Sequence, residues 1–243
     1  MYDIHCHIVF GVDDGSDSIE ESVKMARIAC DSGVTAVVAT PHCNIPDSYT
    51  NYWDREIFER IVLLRNALNK NGLPIKIYCG QEIFCTNRTA ELLKSGKLIT
   101  INNSRYALLE FDFNEYSSSV YEKLLKIISE GYIPIVAHPE RYAFVSEERD
   151  AAMRLKSMGC LLQVNKGSLS GSFGRDAYEN AYRILDRRLA DFVASDAHSP
   201  YMRTPNMEEA FETVCEQFSM DYADLLFEEN PKRMIENKSV FSY

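Results

Sequence analysis

The sequence lacks any long apolar run: none of its 243 residues belong to a stretch of 18 apolar residues, the length that a transmembrane helix needs. It also lacks a basic amino-terminal segment followed by an apolar one, so we expect no signal peptide. Its seven cysteines are odd in number, scattered, and contain no C-x-x-C pair. Such cysteines are typical of free thiols in a reducing compartment. We therefore predict a cytoplasmic protein without membrane insertion.

Positive charge is also scarce. The chain has 26 lysines and arginines against 36 acidic residues, which gives a formal net charge of −10. Nucleic acids and anionic membranes bind basic surfaces, so neither is expected as a partner. An anionic substrate would be repelled by the overall charge, and a site for one would need local positive charge.

The order of elements predicts an α/β fold. Short apolar runs rich in β-branched residues alternate with amphipathic helical stretches, which is typical of parallel strands joined by helices. Seven such βα units indicate a barrel, and the absence of a linker predicts a single domain, residues 1–243. The predicted strands cover residues 2–7, 36–42, 75–82, 106–111, 133–138, 161–166 and 191–198.

All five histidines fall at the ends of these predicted strands. His5 and His7 stand two positions apart, so a strand would place both on one face. An isolated H-x-H pair is often only a surface or hydrogen-bonded pair. His42, His138 and His198 also end strands, however, and the carboxyl ends of parallel strands form the active-site face of a barrel.

Carboxylates occupy the same strand ends. An unpaired carboxylate is costly in an apolar strand, so such residues are normally paired or bound to metal. Nitrogen and oxygen ligands without cysteine are typical of catalytic metal sites, and nine of them suit two or three ions such as Mn²⁺, Zn²⁺ or Fe²⁺. The predicted ligands are His5, His7, Asp14, His42, Glu82, Glu110, His138, Asp196 and His198.

The ordered motifs resemble a known family. The segments DIHCHIVFGVDDG, TPH, GQEIF, YALLEF, AHPERY and ASDAH are similar to those of the polymerase and histidinol phosphatase (PHP) superfamily. The resemblance is greatest to the bacterial manganese-dependent protein-tyrosine phosphatases encoded with capsular and exopolysaccharide genes. It implies a distorted seven-stranded TIM-like (βα) barrel, the PHP fold, with three metal ions, Mn²⁺ above all. It also implies hydrolysis of phosphotyrosine by a metal-activated hydroxide, with a tyrosine autokinase as the protein partner.

The resemblance also implies a role for each site residue. One metal would be held by His5, His7, Glu82 and Asp196, a second by Asp14, His42 and His198, and a third by Glu82, Glu110 and His138. Arg141 and Arg203 fall at the positions of the family's catalytic arginines, although each could instead be a surface arginine paired with an acid.

The sequence also bears on three alternative functions. A cysteine-based phosphatase needs C-x₅-R, and no cysteine here has an arginine six residues on. Another phosphatase of the superfamily, such as one for histidinol phosphate, remains open, as does a non-catalytic regulator that binds a phosphoprotein. Substrate specificity is expected in the loops 43–52 and 166–175, and four aromatic residues could face a phenyl ring: Tyr49, Tyr52, Phe111 and Phe113.

Overall fold

The computed structural model describes residues 1–241, and these form an α/β fold with parallel sheets. The strands are β1 (Tyr2–Cys6), β2 (Ala36–Ala39), β3 (His42–Cys43), β4 (Lys76–Cys79), β5 (Glu82–Phe84), β6 (Tyr106–Glu110), β7 (Ile133–Ala137), β8 (Leu161–Asn165) and β9 (Phe192–Ala194). The helices are α1 (Ile19–Asp31), α2 (Arg55–Lys70), α3 (Thr89–Lys94), α4 (Ser117–Ser129), α5 (Ala143–Glu147), α6 (Ala151–Ser157), α7 (Lys166–Leu169), α8 (Arg175–Asp186), α9 (Glu208–Gln217), α10 (Met220–Asp224) and α11 (Asn230–Ile235). Short 3₁₀ turns cover Ile101–Asn103 and Pro139–Arg141, and a π-helical turn, Leu225–Glu229, joins α10 to α11.

The strands form two sheets in which every pair is parallel. One sheet has the order β1-β2-β4 and the other the order β3-β5-β6-β7-β8-β9. Backbone hydrogen bonds also link β1 to the segment that follows β9: Asp196 N donates to His5 O at 2.8 Å, and His7 N donates to Ala197 O at 2.9 Å. The carboxyl ends of the strands therefore meet on one side.

Two of the predicted strands are each divided in the structure. The run 36–42 contains β2 and the start of β3, and the run 75–82 contains β4 and the start of β5. Pro41 has no N–H to donate to a neighbouring strand, and the Thr40 hydroxyl accepts a hydrogen bond from Cys6 N at 2.9 Å. At the second break, a Cβ on Gly80 would lie 2.8 Å from Val38 Cγ1, so only glycine fits there. His42 and Glu82 consequently begin short strands instead of ending long ones.

The helices follow the sequence signals closely. Ser18 caps α1 by accepting a hydrogen bond from Glu21 N, and Asp54 caps α2 by accepting one from Ile57 N. The apolar stripe of α2 is buried, as its spacing predicts. Arg65 is one position past Leu64, off this stripe, and its spacing predicts a side chain that points to solvent. That prediction is wrong, because its guanidinium donates to Ile77 O at 2.6 and 3.0 Å.

The core consists of two apolar clusters. The larger one packs the helices against the strands, and the smaller one includes Ile4, Leu108, Ile135, Phe192 and Met234. Leu108 precedes Glu110 by two residues on β6, so that strand face carries an apolar residue first and a carboxylate at its carboxyl end. Asp196 follows Phe192 by four residues and lies just beyond the end of β9. Among residues 1–241, no helix is long and apolar enough to cross a membrane.

Candidate metal centre

The nine predicted ligands come together on the carboxyl side of the strands. Seven of them are buried, His42 is half-buried, and Asp14 is exposed in the turn after β1. Within the described part of the chain, the ligand atoms of eight of them, all but His138, form three groups in which all atoms lie within 4.8 Å of one another. The groups are His5, His7, Glu82 and Asp196; His7, Asp14, His42 and His198; and His42, Glu82 and Glu110.

The first group is fully buried. His5 Nε2 and His7 Nε2 are 3.2 Å apart, and each lies 3.2 Å from Glu82 Oε2. Asp196 Oδ1 is 3.5 Å from the first of these nitrogens and 3.6 Å from the second. Two nitrogens and two oxygens thus face one small volume. This is the same set that the family resemblance implies for one metal.

The other two groups share His42. Asp14 Oδ1 lies 3.6 Å from His42 Nε2 and 3.5 Å from His198 Nε2. The other ring nitrogen of His42, Nδ1, is 3.0 Å from Glu82 Oε2 and 2.9 Å from Glu110 Oε1. The third group therefore contains His42, whereas the resemblance implies His138 at that position.

His138 lies beside the third group. Its Nε2 is 2.9 Å from Glu82 Oε1, the oxygen that the other histidines leave free. Its Nδ1 is buried and has no hydrogen-bond partner. Glu82 thus contacts His138 through Oε1 and the third group through Oε2.

Unpartnered buried atoms test whether a cation fits here. His42 Nδ1, Glu82 Oε2 and Glu110 Oε1 have no partner with hydrogen-bond geometry, although they lie within 3.0 Å of a neighbour in this set. Unsatisfied buried groups are rare and costly in proteins. Ligand atoms that point at a common centre, instead of at one another, give this pattern. The donor set of imidazole nitrogens and carboxylate oxygens fits divalent transition metals.

The charges of these ligands also favour a bound cation. Burial lowers the pKa of His42, but Glu82 and Glu110 outweigh it and raise that pKa to about 10. Burial raises the pKa of Asp196, yet His5, His7 and Arg203 hold it well below its usual range. Asp196 is therefore ionised and attracts cations into a buried space, whereas burial and the charge of Glu82 raise the pKa of Glu110.

His198 behaves in the opposite way. Burial and the neighbouring His7 lower its pKa to about 2, so its imidazole is neutral. A neutral imidazole is the form that binds a metal ion. His198 Nδ1 donates to Asp196 O at 3.0 Å, which leaves Nε2 to face Asp14.

Three residues outside the predicted set orient these side chains. Asp13 Oδ2 accepts from His7 Nδ1 at 2.8 Å, and Gln163 Oε1 accepts from His5 Nδ1 at 2.8 Å. Asn165 Nδ2 donates to Asp196 Oδ2 at 2.6 Å. Such partners fix which histidine nitrogen is left for a metal. A sequence signal existed for two of them, because Gln163 and Asn165 are polar residues two apart in an apolar strand.

Two of the candidate ligands have strained backbones. His138 has a φ of 36° and Asp196 a φ of 51°, values that residues with a Cβ rarely adopt. Each such residue costs about 1–3 kcal/mol, and such residues cluster at functional sites. Both follow strands directly or within two residues, and the left-handed conformation turns the chain sharply there.

Both predicted arginines lie at the edge of the group. Arg203 Nη2 is 2.6 Å from Asp196 Oδ2, and Arg141 Nη1 is 3.6 Å from the same oxygen. The two oxygens of Asp196 thus have separate surroundings: Oδ1 faces histidines, and Oδ2 faces arginines. Neither arginine pairs only with a surface acid.

Of the four aromatic candidates, two lie beside the site. The Tyr49 ring is parallel to that of His42, with centroids 6.1 Å apart, and the Phe113 ring is 5.9 Å from that of His138. Phe111 is buried in the core. Tyr52 packs against the core and its hydroxyl faces Asn44 at 3.5 Å, so it does not line the site.

Comparison with known proteins identifies the family. Residues 1–236 match the family described as capsular polysaccharide synthesis, CpsB/CapC. The chain belongs to the CpsB/CapC family. Tyrosine-protein phosphatase YwqE of Bacillus subtilis is 32% identical over 99% of this chain and 94% of its own length.

Solved structures place the CpsB/CapC chain in the same fold. A crystal structure from work on YwqE of Bacillus subtilis and CpsB of Streptococcus pneumoniae, described as unique metal-dependent tyrosine phosphatases, has a TM-score of 0.93. It is 31% identical, and the match covers 100% of this chain and 97% of the other. The lactonase Lmo2620 of Listeria monocytogenes shares only the fold, with a TM-score of 0.62, 12% identity, and coverage of 98% and 95%. The family and the enzyme class predicted from the sequence are confirmed.

Proposed function

We propose that this CpsB/CapC protein is a metal-dependent protein-tyrosine phosphatase that acts in capsular or exopolysaccharide synthesis. The observation that carries the proposal is the set of three overlapping ligand groups with unpartnered, buried nitrogen and oxygen atoms. A buried carboxylate cluster of this kind has a physical reason to exist when cations bind to it. The named activity of YwqE supports the same function.

We further propose that three divalent ions bind, with Mn²⁺ first and Zn²⁺ or Fe²⁺ as alternatives. His5, His7, Glu82 and Asp196 would hold one ion, and Asp14, His42 and His198 another. The remaining ion would be held by Glu82, Glu110 and His138, with His42 Nδ1 close to the same place. Bound divalent ions supply a water nucleophile at neutral pH and positive charge for the phosphoryl oxygens.

The arginines would bind the phosphoryl group. Arg141 and Arg203 carry their charge permanently and present several N–H donors that match phosphate oxygens. Their shared contact with Asp196 Oδ2 would orient them toward the metal ligands. When phosphorus is attacked in line, negative charge is spread over the three equatorial oxygens of the transition state, and arginine donors held at these oxygens would stabilise it.

Leaving-group chemistry would favour phosphotyrosine. Tyrosine leaves as a phenoxide whose conjugate acid has a pKa of about 10, much lower than that of serine. All five histidines face carboxylates, one another or the proposed ions, so none is free to protonate an alkoxide. Tyr49 and Phe113 flank the site and could contact a phenyl ring.

The remaining sequence predictions stay proposals. We propose that the two sheets make up one distorted seven-stranded barrel in a single domain of residues 1–243. The link between β1 and the segment after β9 supports closure. The proposed partner is a tyrosine autokinase, which would supply a phosphoprotein substrate in polysaccharide synthesis. The proposed location is the cytoplasm.

A metal analysis combined with a substrate screen tests the function. Purified protein is stripped with chelator, reloaded with Mn²⁺, and assayed for phosphate release from a phosphotyrosine peptide, a phosphoserine peptide and histidinol phosphate. We expect loss and recovery of activity, with phosphotyrosine preferred. His7→Ala should abolish turnover. Full activity in excess chelator, or a higher kcat/KM for histidinol phosphate, would contradict the proposal.

A further inference from the structure

The ring of Phe173 contacts both arginines. The guanidinium carbon of Arg141 lies 4.3 Å from the centre of this ring and 4.5 Å from that of Phe113, so Arg141 is held between two aromatic faces. The guanidinium carbon of Arg203 lies 5.6 Å from the Phe173 ring. All three distances are within the range of cation–π attraction.

This arrangement solves an electrostatic problem. Arg141 and Arg203 converge on one oxygen, Asp196 Oδ2, which also accepts a hydrogen bond from Asn165 at 2.6 Å. Two like charges near one oxygen repel each other. A second carboxylate would hold them but would also cancel the positive charge that an anion needs. The face of an aromatic ring attracts both cations and leaves their charge and most of their donors available.

The loop that carries Phe173 is anchored to the turn of Arg141. Glu140, the residue before Arg141, accepts a hydrogen bond from the Ser168 hydroxyl at 2.6 Å. Gly167 lies directly under the ring: a Cβ there would be 2.7 Å from Phe173 Cε2. The ring therefore has a defined place, which depends on a glycine.

We propose that Phe173 is a positioning residue that holds Arg141 and Arg203 in the orientation that binds a phosphoryl group. The proposal deepens the function given above and rests on it. Phe173 acts through the two arginines and needs no contact with the substrate. Its half-buried ring provides the neutral surface on which a positive site is built.

The test replaces the aromatic face while keeping an apolar side chain. Phe173→Leu should weaken inorganic phosphate binding to the Mn²⁺-loaded protein, measured by calorimetry, and lower kcat/KM for a phosphotyrosine peptide, each by about 3- to 30-fold. Phe173→Tyr should stay within about twofold, because its ring face remains. Phe241→Leu is the matched control, since Phe241 contacts Arg233 at 3.9 Å away from the site.

A second background separates positioning from stability. In an Arg141→Ala/Arg203→Ala protein, Phe173→Leu should cause no further loss of p-nitrophenyl phosphate turnover. A further loss there, or unchanged phosphate binding in Phe173→Leu alone, would overturn the proposal. If Phe173→Leu folds poorly, Gly167→Ala displaces the ring without changing it and should give the same weakening.

The two proposals fail separately. If the wild-type protein does not hydrolyse phosphotyrosine peptides but Phe173→Leu still weakens phosphate binding, the proposed substrate is wrong and the positioning role stands. If wild-type turnover is normal and Phe173→Leu matches it in both assays, only the positioning role is refuted.

Discussion

Asp13 offers the sharpest test of how the metal site is built. Its buried carboxylate accepts three hydrogen bonds, from His7 Nδ1 and His42 N at 2.8 Å and from Gly15 N at 3.0 Å. Burial raises its pKa, but His7 and the hydrogen bonds hold the pKa below its usual value, so the group is ionised at neutral pH. Because a carboxylate can only accept, His7 Nδ1 carries the proton and Nε2 is left for an ion.

Asp13→Asn keeps the size of the side chain and removes its charge. The amide can also turn its NH₂ group toward His7, which would favour the wrong imidazole tautomer. Loss of such a partner costs about 10- to 100-fold in metal affinity, or about 1.4–2.7 kcal/mol. We expect Mn²⁺ affinity to fall by that factor, with kcat at saturating Mn²⁺ reduced less.

The assay is a Mn²⁺ titration of chelator-stripped protein, followed by calorimetry and by phosphate release. Asp17→Asn is the matched control, because Asp17 lies in the same turn but is exposed and its side chain faces no candidate ligand. Equal Mn²⁺ affinities in both variants would refute the orienting role of Asp13 and with it the tautomer assigned to His7.

Four further predictions follow from the same geometry. Arg141→Ala should lower kcat by about 100-fold with metal content unchanged. Arg141→Lys should restore little activity, because lysine lacks the planar guanidinium fork. An unchanged kcat would mean that Arg141 only pairs with Asp196 and does not bind the phosphoryl group. Gly15→Ala should lose bound metal, seen by elemental analysis, because its Cβ would lie 2.3 Å from His7 O. Burial raises the pKa of all seven cysteines, and that of Cys85 and of Cys160 to about 12, so thiol alkylation at pH 8 should spare activity, and inactivation would point to a thiol mechanism. Elemental analysis of active protein should find more than one divalent ion per chain. Full activity with a single bound ion would contradict the proposal that neighbouring ligand groups hold separate ions.

Most residues of the candidate site could be predicted from the sequence, because the direction of the strands determines where their carboxyl ends lie. Parallel strands place their carboxyl ends together, so His5, Glu110 and Asp196 could be grouped without knowing the exact sheet order. The H-x-H spacing then placed His5 and His7 side by side, whereas Asp196 and His198 follow β9 and belong to different ligand groups. Period-two geometry is local, and it therefore survives in a sequence.

The parts that escaped prediction depend on the backbone path. Asp13 and Asp14 are adjacent and chemically identical, and only the turn decides that one is buried against His7 while the other is exposed. The division of the second strand at Pro41 moves His42 to the start of β3. The sequence pointed to the loop 166–175 but not to Phe173 within it, because its partners Arg141 and Arg203 are distant along the chain.

Charge explains why this acidic chain would need more than one ion. The net charge is −10, and the site itself gathers five carboxylates, those of Asp13, Asp14, Glu82, Glu110 and Asp196. With neutral histidines, the two arginines leave this group at −3, so a single divalent ion would still leave it negative toward a phosphate dianion. A second ion makes it positive, and a third raises the charge further. The carboxylates that would oppose phosphate binding are therefore the means by which the protein concentrates positive charge, and Glu82, whose two oxygens face different histidines, lets few residues hold several ions.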